Sequence, residues 1–180
     1  MKRDRPSYDL PVALAKALPP RPRIKNAYCG PFALATVLGL PDTNQAARLL
    51  AHQQGHNRPA KVVGVSNSDM ICALHREGVV PVKDHGMRRV VVDYRSGYRH
   101  LGLGLTLGQW AQARPGAEWH RHPVLVNVTG HYVVVCGRAV TDQRREWRWI
   151  SDTTLRRKRV WAAWLIVGRA NYGDVGGPDA

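Results

Sequence analysis

Cysteine is scarce, acid is scarcer than base and no long apolar run occurs; each shortage excludes a class of protein. Three cysteines, Cys29, Cys72 and Cys136, stand in 180 residues. Their odd number, with no C-x-x-C pair and no metal-ligand spacing, argues against a disulfide scaffold or a zinc site. No metal and no cofactor is expected. The first twenty residues begin basic but hold only a short apolar stretch, interrupted by Lys16 and closed by Pro19-Pro20. Neither a signal peptide nor a membrane span is read there, so a cytoplasmic protein is expected, or a virion-associated one if the source is a phage.

Asp and Glu total 13 against 27 Lys and Arg, a formal charge of +14, which attracts polyanions and acidic partners over long range. Yet the basic residues are scattered. Arg88-Arg89, Arg144-Arg145 and the run from Arg156 to Arg159 are short groups. They predict a solvated basic surface with at most non-specific nucleic-acid contact, not a dedicated site. Hydrophobic residues make up 44% and charged residues 22%, and apolar runs recur throughout, as in a globular chain of one domain.

Pro6, Pro11, Pro19, Pro20 and Pro22 fall within residues 1–23, which are read as an extended arm. The domain is placed at 24–170 and a flexible tail at 171–180. From Cys29 the segment CGPFALATVLGL reads as a buried helix, with Pro31 in its first turn and Gly39 at its stop. A second helix is predicted from Thr43 to about Gln54, capped by Thr43, and a third from Ser68 to Gly78. Residues 79–82 and 88–94 are β-branched and read as strands, and Thr106 with Gln109 resembles a capping box before a short helix. Four strands follow, at 122–128, 131–137, 146–151 and 159–167. Helices first and an antiparallel sheet second give an α+β fold class.

Of the three cysteines, Cys72 in MICAL and Cys136 in YVVVC look like small core residues. Cys29 differs because it opens a helix, where unpaired backbone N–H groups and the positive end of the dipole favour the thiolate. His131 follows a glycine at the start of a strong strand, a position from which an imidazole can serve such a thiol as base. Two acids compete to orient the imidazole. Asp142 lies in the turn TDQRRE, whereas Asp152 ends WRWISD; Asp152 is preferred because a strand end fixes a side chain better than a hairpin tip.

In that order, over roughly residues 24–155, NAYCGPFALATVLG, PVLVNVTGHYVVVCG and WRWISDTT resemble the Cys, His and Asp motifs of papain-like cysteine peptidases. The nearest likeness is to bacterial domains that cleave bacteriocin leader peptides after a double glycine. The resemblance implies a papain-like fold, a nucleophile-bearing helix packed on the sheet, thiolate attack on an amide carbonyl and an acyl-enzyme intermediate. It assigns Cys29, His131 and Asp152 as the triad and a peptide or protein as substrate. Those peptidases usually carry a Gln six residues before the cysteine, whose amide helps hold the oxyanion. Here that position is Arg23, and the nearest amide, Asn26, serves either as the cap of the helix or as the oxyanion donor.

Two other functions fit the same residues. One is a basic nucleic-acid-binding or virion-associated protein with an inactive papain-like fold, using Trp147, Trp149, Trp161 and Trp164 between arginines as stacking surfaces. The other is a deamidase, transglutaminase or cell-wall amidase that turns the same thiolate on a different amide.

Overall fold

The computed structural model describes residues 18, 29–59, 62, 64–83, 105–113 and 122–169. Helix α1 runs Cys29–Leu38, α2 Thr43–Gln53 and α3 Asn67–Arg76; strand β1 is Val79–Lys83 and helix α4 Leu107–Ala113. Then come β2 (Val124–Val128), β3 (His131–Cys136), β4 (Ala139–Thr141) and β5 (Arg148–Trp149). Two 3₁₀ turns, Ile150–Asp152 and Thr154–Arg157, lead into β6 (Val160–Arg169). The sheet has the order β1-β6-β2-β3-β4-β5 with every neighbouring pair antiparallel. The chain is therefore α+β, and among the described residues no helix is long and apolar enough to cross a membrane.

The runs VLV and YVVVC show no polar alternation because the central strands are covered on both faces. Leu125, Tyr132, Val134, Trp164 and Ile166 pack under α1, α2 and α3 with Leu34, Leu50, Met70 and Leu74. Their strand neighbours Val126, Val133, Val135 and Leu165 pack on the opposite side with Leu107 and Trp110 of α4. Period-two alternation thus divides two apolar clusters instead of core and solvent.

Local boundaries differ from the sequence reading where side-chain caps decide them. Asp42, not Thr43, caps α2, its Oδ1 accepting from the Gln45 N–H at 2.9 Å, while Thr43 is buried. Ser66 and Asp69 form the capping box of α3 and start it one residue before Ser68. The Thr106–Gln109 box before α4 is present as expected. A strand at 139–141 was not anticipated, and the one expected at 146–151 shrinks to Arg148–Trp149 before turning into the first 3₁₀ turn. The expected strand at 88–94 and the tail at 171–180 lie outside the described residues, as does all of the arm at 1–23 except Leu18. Among the described large hydrophobic side chains only Trp161, 45% accessible, is exposed; Trp164 is buried and Trp147 packs against the helix-side core.

Candidate active site

Cys29 is the first residue of α1, half-buried against the helix-side core. Its sulfur is hydrogen bonded to the His131 ring and receives the backbone N–H groups of Tyr132 and Gly30. Burial alone would push the thiol upward, but these bonds and the imidazolium charge outweigh it and lower the pKa below its ordinary 9.0. Gly30 lets the helix start lie close on its neighbour, since a Cβ there would stand 2.6 Å from Val65 Cγ2.

His131 opens β3 directly after Gly130, whose φ of 69° lies in the left-handed region that glycine tolerates. Its register opposite Val128 fixes its backbone at the end of the β2–β3 hairpin. Nε2 meets Asp142 Oδ2 at 3.5 Å, which leaves Nδ1 for the sulfur. Burial would lower the imidazole pKa, yet the bonds to Asp142 and Cys29 and their negative charges push it up to about 9. The two shifts, Cys29 downward and His131 upward, both favour the thiolate–imidazolium form of the pair.

The carboxylate at His131 is Asp142, and this corrects the assignment to Asp152. Asp152 is exposed in a 3₁₀ turn, with Oδ1 accepting from Ser151 Oγ at 2.9 Å. Asp142 is only 5% accessible. Far from hanging at a loose hairpin tip, it is held by the turn it forms: Oδ1 accepts the Arg144 N–H at 2.9 Å and its carbonyl accepts the Arg145 N–H at 2.8 Å. Arg145 takes a left-handed φ of 63° there. Arg148 Nη2 approaches Asp142 Oδ1 at 3.6 Å. Burial would raise the Asp142 pKa, but His131, the Arg144 N–H and the Arg148 charge hold it below the usual range.

The sequence did carry a signal for Asp142. Cys136 pairs with Ala139 and Val134 with Thr141 across the β3–β4 hairpin, so the residue after Thr141 returns along β3 toward His131. The hairpin was missed because β4 is only three residues long. Asn26 and Arg23 lie outside the described residues. Cys136 is buried and Cys72 half-buried, and neither is in a disulfide.

A second polar group adjoins the sulfur. Tyr132 OH donates to Asn67 Oδ1 at 2.7 Å, and Asn127 Nδ2 donates to the same oxygen at 2.6 Å. This joins the first turn of α3 to β2 and β3. Burial, together with the charges of Cys29 and Asp69, pushes the Tyr132 phenol far above its ordinary range. No protein-family model matches the chain, and neither a curated protein nor a solved structure does.

Proposed function

We propose that the chain is a papain-like cysteine hydrolase of peptide or protein amides, with Cys29 as nucleophile, His131 as acid and base, and Asp142 as the residue that orients His131. The supporting observation is the bonded series of Cys29 sulfur, His131 ring and Asp142 carboxylate. The thiolate attacks the amide carbonyl carbon; a C–S bond forms and the carbonyl electron pair moves to oxygen. As the C–N bond breaks, the imidazolium gives its proton to the leaving amine, producing a thioester. Neutral His131 then takes a proton from water, whose oxygen displaces the thiolate and releases the acid. Asp142 keeps the ring aligned and stabilises its charge through both halves. Asn26, three residues before the nucleophile, completes the proposal as a donor to the oxyanion. A cytoplasmic location, or a virion-associated one for a phage protein, belongs to the same proposal.

The test is alkylation by iodoacetamide near neutral pH, with the adduct located by mass spectrometry, followed by peptide hydrolysis assays on the wild type and Cys29→Ala. Cys29 is expected to react well before Cys72 and Cys136, and Cys29→Ala to lose all hydrolysis. Equal reaction of the three cysteines, or an active Cys29→Ala protein, would overturn the proposal.

A further inference from the structure

Nothing in the chemistry above uses the Asn67–Asn127–Tyr132 group, although Tyr132 joins it to the nucleophile. Three contacts place it there. Val65, two residues before Asn67, touches Gly30, and packs with Cys29 against the helix-side core. Tyr132, which bonds Asn67 through its hydroxyl, presents its backbone N–H to the Cys29 sulfur. Asn127 faces Tyr132 across the β2–β3 ladder.

The donor and acceptor inventory shows what this group has left to offer. A side-chain amide holds two N–H donors on nitrogen and one oxygen with two acceptor sites. Asn67 Oδ1 already takes two donors, one from Tyr132 and one from Asn127. Its Nδ2 meets no partner among the described residues, and neither does Asn127 Oδ1. Both residues are only partly buried. Asn67 Nδ2 is therefore left as a donor atom and Asn127 Oδ1 as an acceptor atom, on two side chains already bonded to each other. A secondary amide offers the complementary pair, a carbonyl oxygen and an N–H.

We propose that Asn67 and Asn127 form a subsite for one peptide unit of the substrate main chain beside the scissile bond, Asn67 Nδ2 donating to its carbonyl and Asn127 Oδ1 accepting from its N–H. This rests on the hydrolase reading and narrows it to substrates with an unsubstituted amide at that place, against acyl groups that lack the N–H. Because the subsite reads main chain, it adds affinity without selecting a particular side chain.

The experiment compares three electrophiles on Cys29: iodoacetamide, a dipeptidyl chloromethyl ketone, and the same ketone N-methylated at its peptide bond. In each ketone reaction the thiolate forms a C–S bond and chloride leaves. For the wild type, N-methylation is expected to slow ketone labelling about 5- to 10-fold, the effect of one or two lost hydrogen bonds. Asn127→Leu and Asn67→Ser should each slow the parent ketone by a similar factor. Asn127→Leu, which removes the acceptor of the N–H, should also become indifferent to N-methylation, whereas Asn67→Ser, which removes only the donor to the carbonyl, should still discriminate. Their iodoacetamide rates should stay within about twofold of the wild type, since loosening of the thiolate site would slow all three reagents. Equal rates of the two ketones on the wild type, or an Asn127→Leu variant that still discriminates between them, would overturn the subsite. Failure of iodoacetamide to select Cys29 in the wild type would instead overturn the hydrolase reading.

Discussion

His131 Nε2 stands 3.5 Å from Asp142 Oδ2, so the carboxylate that meets the imidazole comes from the turn after β4 and not from the 3₁₀ turn ten residues later that holds Asp152. Substitution separates the two acids. Asp142→Asn keeps an oxygen for the Arg144 N–H but removes the charge that sustains the imidazolium. NMR titration should show the His131 pKa falling from about 9, and turnover should drop on the order of 10²-fold. Asp152→Asn, at an exposed site, should leave both within about twofold. The opposite ranking would restore Asp152.

The choice between these acids marks where the sequence stopped being legible. Cys29 and His131 were readable because each sits at an abrupt local signal: a helix opened by Cys-Gly-Pro, and a strand entered through Gly130. Helix-before-sheet order was readable for the same reason, as periods of 3.6 and 2 change sharply near residue 79. Asp142 depended on a long-range register. Its rigidity comes from two backbone N–H bonds within its own turn, which composition describes only as a polar tip. Likewise Asn67 and Asn127 are 60 residues apart and carry no mutual signal until the sheet pairs.

pH profiles should separate the thiolate from the imidazolium. Alkylation needs only the thiolate, which the lowered Cys29 pKa preserves below the ordinary 9.0. Hydrolysis also needs the proton on His131, lost as pH rises through about 9. The acid limbs of both profiles should coincide, while above about 9 hydrolysis falls and iodoacetamide labelling does not. Coincident alkaline limbs would show that His131 is not the proton donor.

Stability should follow His131 and Asp142 with opposite signs. The folded His131 pKa is raised above its ordinary 6.5, so its contribution is complete below that value and disappears as pH rises through about 9. Asp142 is depressed from 3.8, so its contribution is present above that value and is lost as pH falls through its lower folded pKa. Cys29, lowered from 9.0, gains stability as pH rises toward 9.0 and so offsets the His131 loss. Cys29→Ala removes this offset together with one cause of the raised His131 pKa, and should leave an uncompensated His131 loss that starts at its ordinary 6.5 and ends below about 9. Denaturant melts of both proteins across that range measure the difference.

The basic surface has a narrower expected role than its charge suggests. Arg156, Arg157, Lys158 and Arg159 are exposed beside Trp161, whose Nε1 donates to Thr129 Oγ1 at 3.2 Å. Oligonucleotides should bind weakly and without sequence preference at low salt. Affinity should fall with a log–log slope of about −0.7 per phosphate contacted on single strands. Binding that persists at high salt or discriminates between sequences would contradict this and favour a dedicated nucleic-acid site.

Gly30 tests whether close approach at the helix start positions the nucleophile. It is buried, follows Cys29 directly, and offers its N–H to the sulfur. A Cβ at this position would meet Val65 Cγ2 at 2.6 Å and Val65 Cβ at 3.0 Å, too near for ordinary contact. Val65 cannot swing away freely, because it packs against the helix-side core and the capping box of α3 begins at the next residue. Gly30→Ala should therefore cost about 1–3 kcal/mol, as overpacking in a filled core does. A domain of this size would show that cost as a fall in Tm of about 2–4 °C per kcal/mol. The displaced α1 start should also slow Cys29 alkylation, since the sulfur would move from its bonds to His131 and the Tyr132 N–H. Val65→Ala in the Gly30→Ala background removes the clashing Cγ atoms and should recover most of the alkylation rate even if some stability stays lost. If the double variant alkylates no faster than Gly30→Ala alone, the contact with Val65 is not what places the sulfur.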